Sequence, residues 1–370
     1  MPRSLQPDWK LFGSTVALCL FGAVMVFSAT AVTSREQGAS GYAFLLRQLA
    51  WLMIGFAGMF LLMNTDYRKL RQPRVIFSSL GIVILMLLAV LLFDRTHHTH
   101  RWIHLGSLFR LQPSELAKFA VILYLAWFLE MRQQARDFNP NDFMRTLGPA
   151  LLPVLLIFGL VLVEPDMGTA SMILFVGVVL LYLCGLSEKY LGYAAAIAAP
   201  VFYLLIVRVP YRYERVMAFL NPSADPQRHG FQLLQSLIAV GSGGLTGVGL
   251  MESRQKLFYL PEAHTDFIFA VLGEELGFLG AALVLALFAV YGWRGLRAAL
   301  KAPDEFGRLL GFGITTLVVG QAFINLSVVL GLMPTKGIPL PFVSYGGSSL
   351  LVMLLATGVL LNISQHADEG

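Results

Sequence analysis

Asp266 is the residue of this chain best suited to take up a proton. It closes the run Leu260-Pro-Glu-Ala-His-Thr-Asp266 and directly precedes an apolar stretch. An aspartate there can cap the helix that follows, a contact contributing about 1 kcal/mol. In a partly dehydrated cleft lined by cations it can also be a general base, because such surroundings tune a carboxylate's pKa. One side chain can fill both roles. Cations are close in sequence. Arg212, Arg215, Arg254 and Lys256 lie in the segment 208–266, and Lys336 lies in the later turn Pro334-Thr-Lys-Gly337. A second cation-bearing stretch runs from Arg101 to Lys118, where Pro113-Ser-Glu115 opens a helix. Proline suits a first helical turn and an acid there complements the helix dipole, so Glu115 reads as a capping acid. Lys118, one turn into an apolar helix, needs a partner, water or an anion. It can pair with Glu115 at i+3 or reach a phosphate. A base among so many cations suits an anionic substrate.

These groups are set in a chain dominated by apolar residues. Of its 370 residues 56% are hydrophobic and 13% charged, and the mean hydropathy is +0.69. A water-soluble domain could not hide that much apolar surface, so lipid is part of the solvent. Stretches long enough to cross roughly 30 Å of hydrocarbon begin at 11, 43, 75, 115, 146, 169, 190, 267, 308 and 344. The expected architecture is an all-α, polytopic integral membrane protein of about ten transmembrane helices, one domain over 1–370. A long extracytoplasmic loop, about 208–266, separates spans seven and eight. Ala29-Thr30-Ala31 resembles a signal cleavage site, but the apolar region Leu11–Phe27 is longer than a signal core, so it reads as the first span.

An even number of spans puts both termini on one side. With the N-terminus inside, the short inner loops carry Arg68, Lys69, Arg71 and Arg74, then Arg132, Arg136 and Arg145, then Lys189, then Arg294, Arg297, Lys301 and Arg308. That is the positive-inside pattern, and it expects cytoplasmic termini. The long outer segments 94–114 and 208–266 escape that rule. Their charges are free to serve a substrate on the outer face. The net charge of +5 is small and spread over loops, which argues against nucleic acid.

Several tempting features have plain explanations. His97, His98, His100 and His104 lack thiolate or carboxylate companions, so they read as loop histidines and no metal site is expected. Gly241-Ser-Gly-Gly244, Gly247 and Gly249 lack a Walker lysine, and loop flexibility or close helix packing accounts for them. Glu274 and Glu275 sit inside a span and read as members of a structural ion pair. Gln321 and Asn325 share one helix face, which suits interhelix hydrogen bonds. Cys19 and Cys184 read as small buried side chains. The turn from Pro334 to Ser349 has three prolines and three glycines, an irregular backbone tolerated at membrane depth only against protein or a cavity.

Taken together, Arg101-Trp102, Gln112-Pro-Ser-Glu-Leu-Ala-Lys118, Arg215-Val-Met217, Gly241-Ser-Gly-Gly244, Leu260–Phe269 and Ser344-Tyr-Gly-Gly347 resemble the SEDS family of cell-wall polymerases, the family of RodA, FtsW and SpoVE. Pro334–Gly337 and Leu260–Gly277 look more like the FtsW branch, from which the short termini and Ile338-Pro339 depart. The resemblance implies a peptidoglycan glycosyltransferase of the cytoplasmic (inner) membrane, polymerising lipid II on the outer face in cell division or elongation. It implies a class B penicillin-binding protein as partner, with other divisome or elongasome membrane proteins. It places the catalytic aspartate at Asp266 and pyrophosphate contacts at Arg101 and Lys118. Glu115, Arg215, Lys256, His264, Lys336 and Ser344 complete the expected substrate-binding set. The resemblance fixes no cofactor, although magnesium or manganese could accompany the pyrophosphate. Two other classes fit a helical bundle: a lipid II flippase, and a non-enzymatic scaffold for division proteins.

Overall fold

The computed structural model describes residues 6–36, 41–93, 101–105, 109–222, 230–257 and 260–367. Twelve helices follow in order: α1 (Trp9–Glu36), α2 (Ala43–Met63), α3 (Pro73–Phe93), α4 (Pro113–Gln133), α5 (Gly148–Val163), α6 (Met167–Leu183), α7 (Glu188–Val207), α8 (Pro210–Leu220), α9 (Phe231–Ser242), α10 (Ile268–Leu300), α11 (Glu305–Val329) and α12 (Gly347–His366). Among the described residues, seven helical segments are long and apolar enough to cross a membrane: α1, α2, α3, Phe143–Val163 (a π turn continued by α5), α10, α11 and α12. The protein is therefore a multi-pass membrane protein. α11 and α12 run through the middle, with most of their length buried, whereas α2, α3 and α10 turn broad apolar faces outward.

Two details depart from the expected architecture. The piece after Arg101 holds a short antiparallel ladder, β1 (Ile103–Leu105) with β2 (Phe109–Leu111), pairing Ile103 with Leu111. Leu111 is then followed by Gln112 and the proline that opens α4. The segment 208–266 is also not all loop, since α8 and α9 lie within it.

The glycine-rich stretch explains itself in the break of α10. At Gly277 the backbone leaves the helix, with φ 63° and ψ −161°, a region open to glycine and costly for other residues. The turn after α9 fills the gap. Val248 and Gly249 donate to the carbonyls of Glu274 and Glu275 at 3.0 and 3.1 Å, and Phe278 and Leu279 donate to Gly244 and Leu245 at 2.9 and 3.1 Å. A Cβ on Gly247 would lie 2.0 Å from the Glu275 carbonyl oxygen, so only glycine permits this approach. Close backbone packing is the use of Gly243 and Gly247. The break in a membrane-depth helix is closed by protein hydrogen bonds, as an apolar surrounding demands.

Candidate active site

Asp266 sits where three segments meet. Its own strip, 264–266, leads into α10; the irregular turn 331–346 crosses in front of it; α11 passes behind. Asn325 on α11 donates to the carbonyls of both Asp266 and Ile338, each at 2.8 Å. One turn earlier, Gln321 donates to Pro339 O at 2.9 Å. Ser344 Oγ donates to Thr265 O at 2.6 Å, and Tyr345 N donates to His264 O at 2.9 Å. The amides expected to join helices thus chiefly hold the two strips that carry the site, and only Gln321 also reaches across to α4.

The carboxylate of Asp266 does not cap α10. Phe267 occupies the cap position without a side-chain cap bond, and among the described residues the Asp266 carboxylate has no hydrogen-bond donor. Instead it faces a cleft of about 730 Å³. Arg101, Asp166, Arg215, Glu262 and Lys336 line the same cleft. Loss of hydration, reinforced by Glu262 and Asp166 and opposed by Arg215 and Arg101, pushes the Asp266 pKa up to about 7. A carboxyl so poised takes and releases a proton near neutrality. Gly337 lies directly against it: a Cβ there would stand 3.2 Å from Asp266 Oδ2.

Of the expected binding residues, Arg101, Arg215 and Lys336 line the cleft. Arg215 on α8 donates to Thr335 O at 3.3 Å. Arg101 donates through Nε to Glu164 O at 3.0 Å and through Nη2 to Pro165 O. Lys336 is half-buried, and its dehydration lowers its pKa.

The other candidates are held elsewhere. Lys118 and Glu115 are not among the lining residues: the Lys118 ammonium, almost fully buried, lies 2.8 Å from Glu115 and 2.8 Å from Gln321 Oε1. Of the two partners the sequence leaves open to Lys118, the structure takes the acid at i+3, and Glu115 makes a pair rather than a cap. Lys256 is likewise buried, 2.7 Å from Glu275, which also accepts from Ser28 at 2.6 Å. That is the expected structural ion pair. Glu274 belongs to a different bond set, accepting from Ser253 Oγ at 2.5 Å and Arg254 N at 3.0 Å. His264 packs edge-on to Phe44 and tilted against Tyr345, and burial lowers its pKa. Ser344 is engaged in backbone bonds. His97, His98 and His100 lie outside the described residues.

Sequence reasoning passed over Glu164-Pro165-Asp166. Asp166 caps α6 by accepting from Thr169 N at 3.1 Å, and accepts from Gln112 Nε2 at 2.9 Å. Glu164 is fully buried, and burial, then the Asp166 charge, push its pKa up to about 8 against the pull of Arg101. Two acids around a proline between apolar stretches were a visible signal, because acids at membrane depth are costly and need a reason. Among the described residues no three His, Cys, Asp or Glu side chains gather as metal ligands.

A bundle with a half-dehydrated aspartate in a cation-bearing cleft is the arrangement of a membrane enzyme acting on an anionic substrate. Comparison with known proteins sharpens this. Residues 9–369 match the family FTSW_RODA_SPOVE, described as "Cell cycle protein", and the chain belongs to that family. A "Probable peptidoglycan glycosyltransferase FtsW" of Geobacter metallireducens is 43% identical, over 96% of this chain and 94% of that one. "Stage V sporulation protein E" of Bacillus subtilis is 42% identical over 99% of each chain. Among solved structures, one described as "Structural coordination of polymerization and crosslinking by a peptidoglycan synthase complex" superposes with a TM-score of 0.78 at 32% identity, covering 98% of this chain and 99% of that one. The crystal structure of Thermus thermophilus "Rod shape determining protein RodA" gives 0.71 at 29% identity over all of both chains.

Proposed function

We propose that this chain, a peptidoglycan glycosyltransferase of cell division and cell shape, polymerises lipid II in the cleft with Asp266 as its base. The acceptor sugar's 4-hydroxyl oxygen attacks the anomeric carbon of the donor and its proton passes to Asp266. The bond from that carbon to the pyrophosphate breaks, and the pyrophosphate-linked lipid leaves with the electron pair. Attack opposite an α-linked leaving group gives a β-linked glycan. Pyrophosphate leaves readily, so charge stabilisation matters more than acid catalysis. Arg101, Arg215 and Lys336 supply positive charge in the cleft. Magnesium or manganese could accompany the pyrophosphate; among the described residues no three His, Cys, Asp or Glu side chains gather to hold it.

The observation that carries the reading is the Asp266 carboxylate itself, without a hydrogen-bond donor and with its pKa near neutrality. Lipid II polymerisation by the purified protein tests it. Asp266→Asn keeps the size and removes the basicity, so the rate should fall about 100-fold or more with membrane level unchanged. A rate comparable to wild type would remove Asp266 from the mechanism.

The same reading takes α1 to α7 and α10 to α12 as ten spans, with both termini cytoplasmic and the cleft on the outer face. The loop charges support it. A class B penicillin-binding protein is the cross-linking partner, in keeping with the synthase complex that the chain resembles. A flippase would need paired broken helices in corresponding halves. The break in α10 is instead sealed by the turn after α9.

A further inference from the structure

We propose that the first turn of α12, Gly346 to Ser349, is the seat of a phosphate group in the cleft. The inference rests on the glycosyl-transfer reading above, and asks which donors meet the pyrophosphate once Lys118 is taken by Glu115 and Gln321. Gly346, Ser348 and Ser349 all line the cleft. α12 is 20 residues long and has no side-chain cap. Its first intrahelical bond is Leu350 N to Gly346 O at 2.9 Å. Among the described residues, the N–H groups from Gly346 to Ser349 have no acceptor. Free first-turn amides and the positive end of the helix dipole suit a phosphate.

A second observation comes from a side chain. Ser349 is 7% exposed, and its Oγ, although buried, has no hydrogen-bond partner. A buried hydroxyl without a partner is costly unless a ligand or water completes it. Its neighbour differs: Ser348 Oγ donates to Arg110 O and accepts from Gln112 N, each at 3.0 Å. Ser348 holds the strand end, whereas Ser349, which also lines the cleft, keeps a hydroxyl with no partner. The glycines divide in the same way. A Cβ on Gly347 would lie 2.1 Å from Trp51 Nε1, so packing alone requires that glycine. A Cβ on Gly346 would meet nothing nearer than Ser349 Cβ at 3.9 Å, so this position has room for a side chain. α6 also begins at the cleft, but there Asp166 closes the turn with its own carboxylate. α12 has no such anion of its own.

Binding of undecaprenyl pyrophosphate to the purified full chain in detergent tests the seat apart from activity. Gly346→Asp places a carboxylate where the phosphate would sit, and Asp is a favoured helix cap. Its melting temperature should match or exceed wild type, and affinity should fall at least about tenfold through like-charge repulsion. Ser349→Ala, which keeps the fold without a new charge, should weaken binding by roughly tenfold, the worth of a hydrogen bond to a charged group. Inorganic pyrophosphate and undecaprenol serve as probes of the source. Competition by inorganic pyrophosphate as strong as by the lipid would assign the seat to free phosphate and overturn its assignment to the lipid headgroup. Unchanged affinity in both variants overturns the seat. The reading beneath it fails differently: Asp266→Asn would then polymerise lipid II like wild type.

Discussion

Outside the cleft lining, Lys118 and Lys256 each lie against a carboxylate, at 2.8 and 2.7 Å, with neither partner more than 3% exposed. Inside the cleft, Asp266 has no donor on its carboxylate among the described residues, and Lys336 is half-buried with its pKa lowered by dehydration. The two regions use the same residue types within one bundle. In the first, charge is cancelled locally and α1, α4, α10 and α11 are tied to their neighbours. In the second, it is left incomplete, so a substrate can complete it. Local satisfaction, more than residue type or depth, separates charges that hold the fold from charges available to chemistry.

The largest effect that would break this contrast is on stability. Removing one partner of a buried pair leaves the other charged and dehydrated, at a cost of about 3–5 kcal/mol. Lys256→Met should therefore lower the melting temperature sharply and reduce membrane yield. The double variant Lys256→Met/Glu275→Leu should recover most of that loss, because apolar groups of similar volume need no partner. A Lys256→Met protein as stable as wild type would mean that the pair is not buried as described.

The pH profile of polymerisation sharpens the other half. Asp266 acts as the carboxylate, and its pKa is raised to about 7. The rate should be flat above pH 7 and fall about tenfold per unit below it, as the fraction of base falls. The sign for stability is opposite. The folded state holds this proton more tightly than the unfolded chain, so the contribution is full at acid pH and lost as pH rises through about 7. Asp266→Asn should then melt at or above wild type at pH 8, although it is inactive. A flat rate from pH 5.5 to 8 would place the base elsewhere.

Much of this division was legible in the sequence, and the rest was hidden for definite reasons. Apolar length marks a helix locally, so the expected spans coincide with helices. Asp266 was visible because it stands at a helix mouth after a polar run. Glu275 was visible because an acid within a span needs a cation. The partners were not. Lys118 can reach an acid or a phosphate on sequence grounds, and only folding α11 beside α4 brings Gln321 to decide it. Ser349 looks like Ser348 until β2 takes one hydroxyl and leaves the other. α8 and α9 were lost in a long loop because short amphipathic helices carry no length signal.

A smaller effect comes from geometry. Gly337→Ala would bring a methyl 3.2 Å from Asp266 Oδ2, closer than such contacts usually sit. The carboxylate should shift by tenths of an ångström, and misplacement of that size costs roughly tenfold in rate. Gly337 is exposed and its φ is not positive, so thermal stability should hardly change. A loss of melting temperature matching the loss of rate would turn Gly337 into a packing residue.

The least effect is expected at the surface, where the same ion-pair chemistry meets water. Arg308 and Glu305 are 2.7 Å apart in the first turn of α11, at 32% and 44% exposure. Their separation equals that of Lys256 and Glu275, so distance alone predicts equal worth. Solvation predicts otherwise: water screens the attraction, and holding two long side chains costs entropy, leaving a few tenths of a kcal/mol. Arg308→Ala should thus change melting by a degree or less and leave polymerisation untouched, because no cleft residue is involved. Raising the salt concentration should erase even that difference, while the Lys256 variant stays as destabilised as before. If Arg308→Ala and Lys256→Met proved equally damaging, burial would not be what distinguishes these charges, and the contrast between closed networks and open cleft would lose its physical basis.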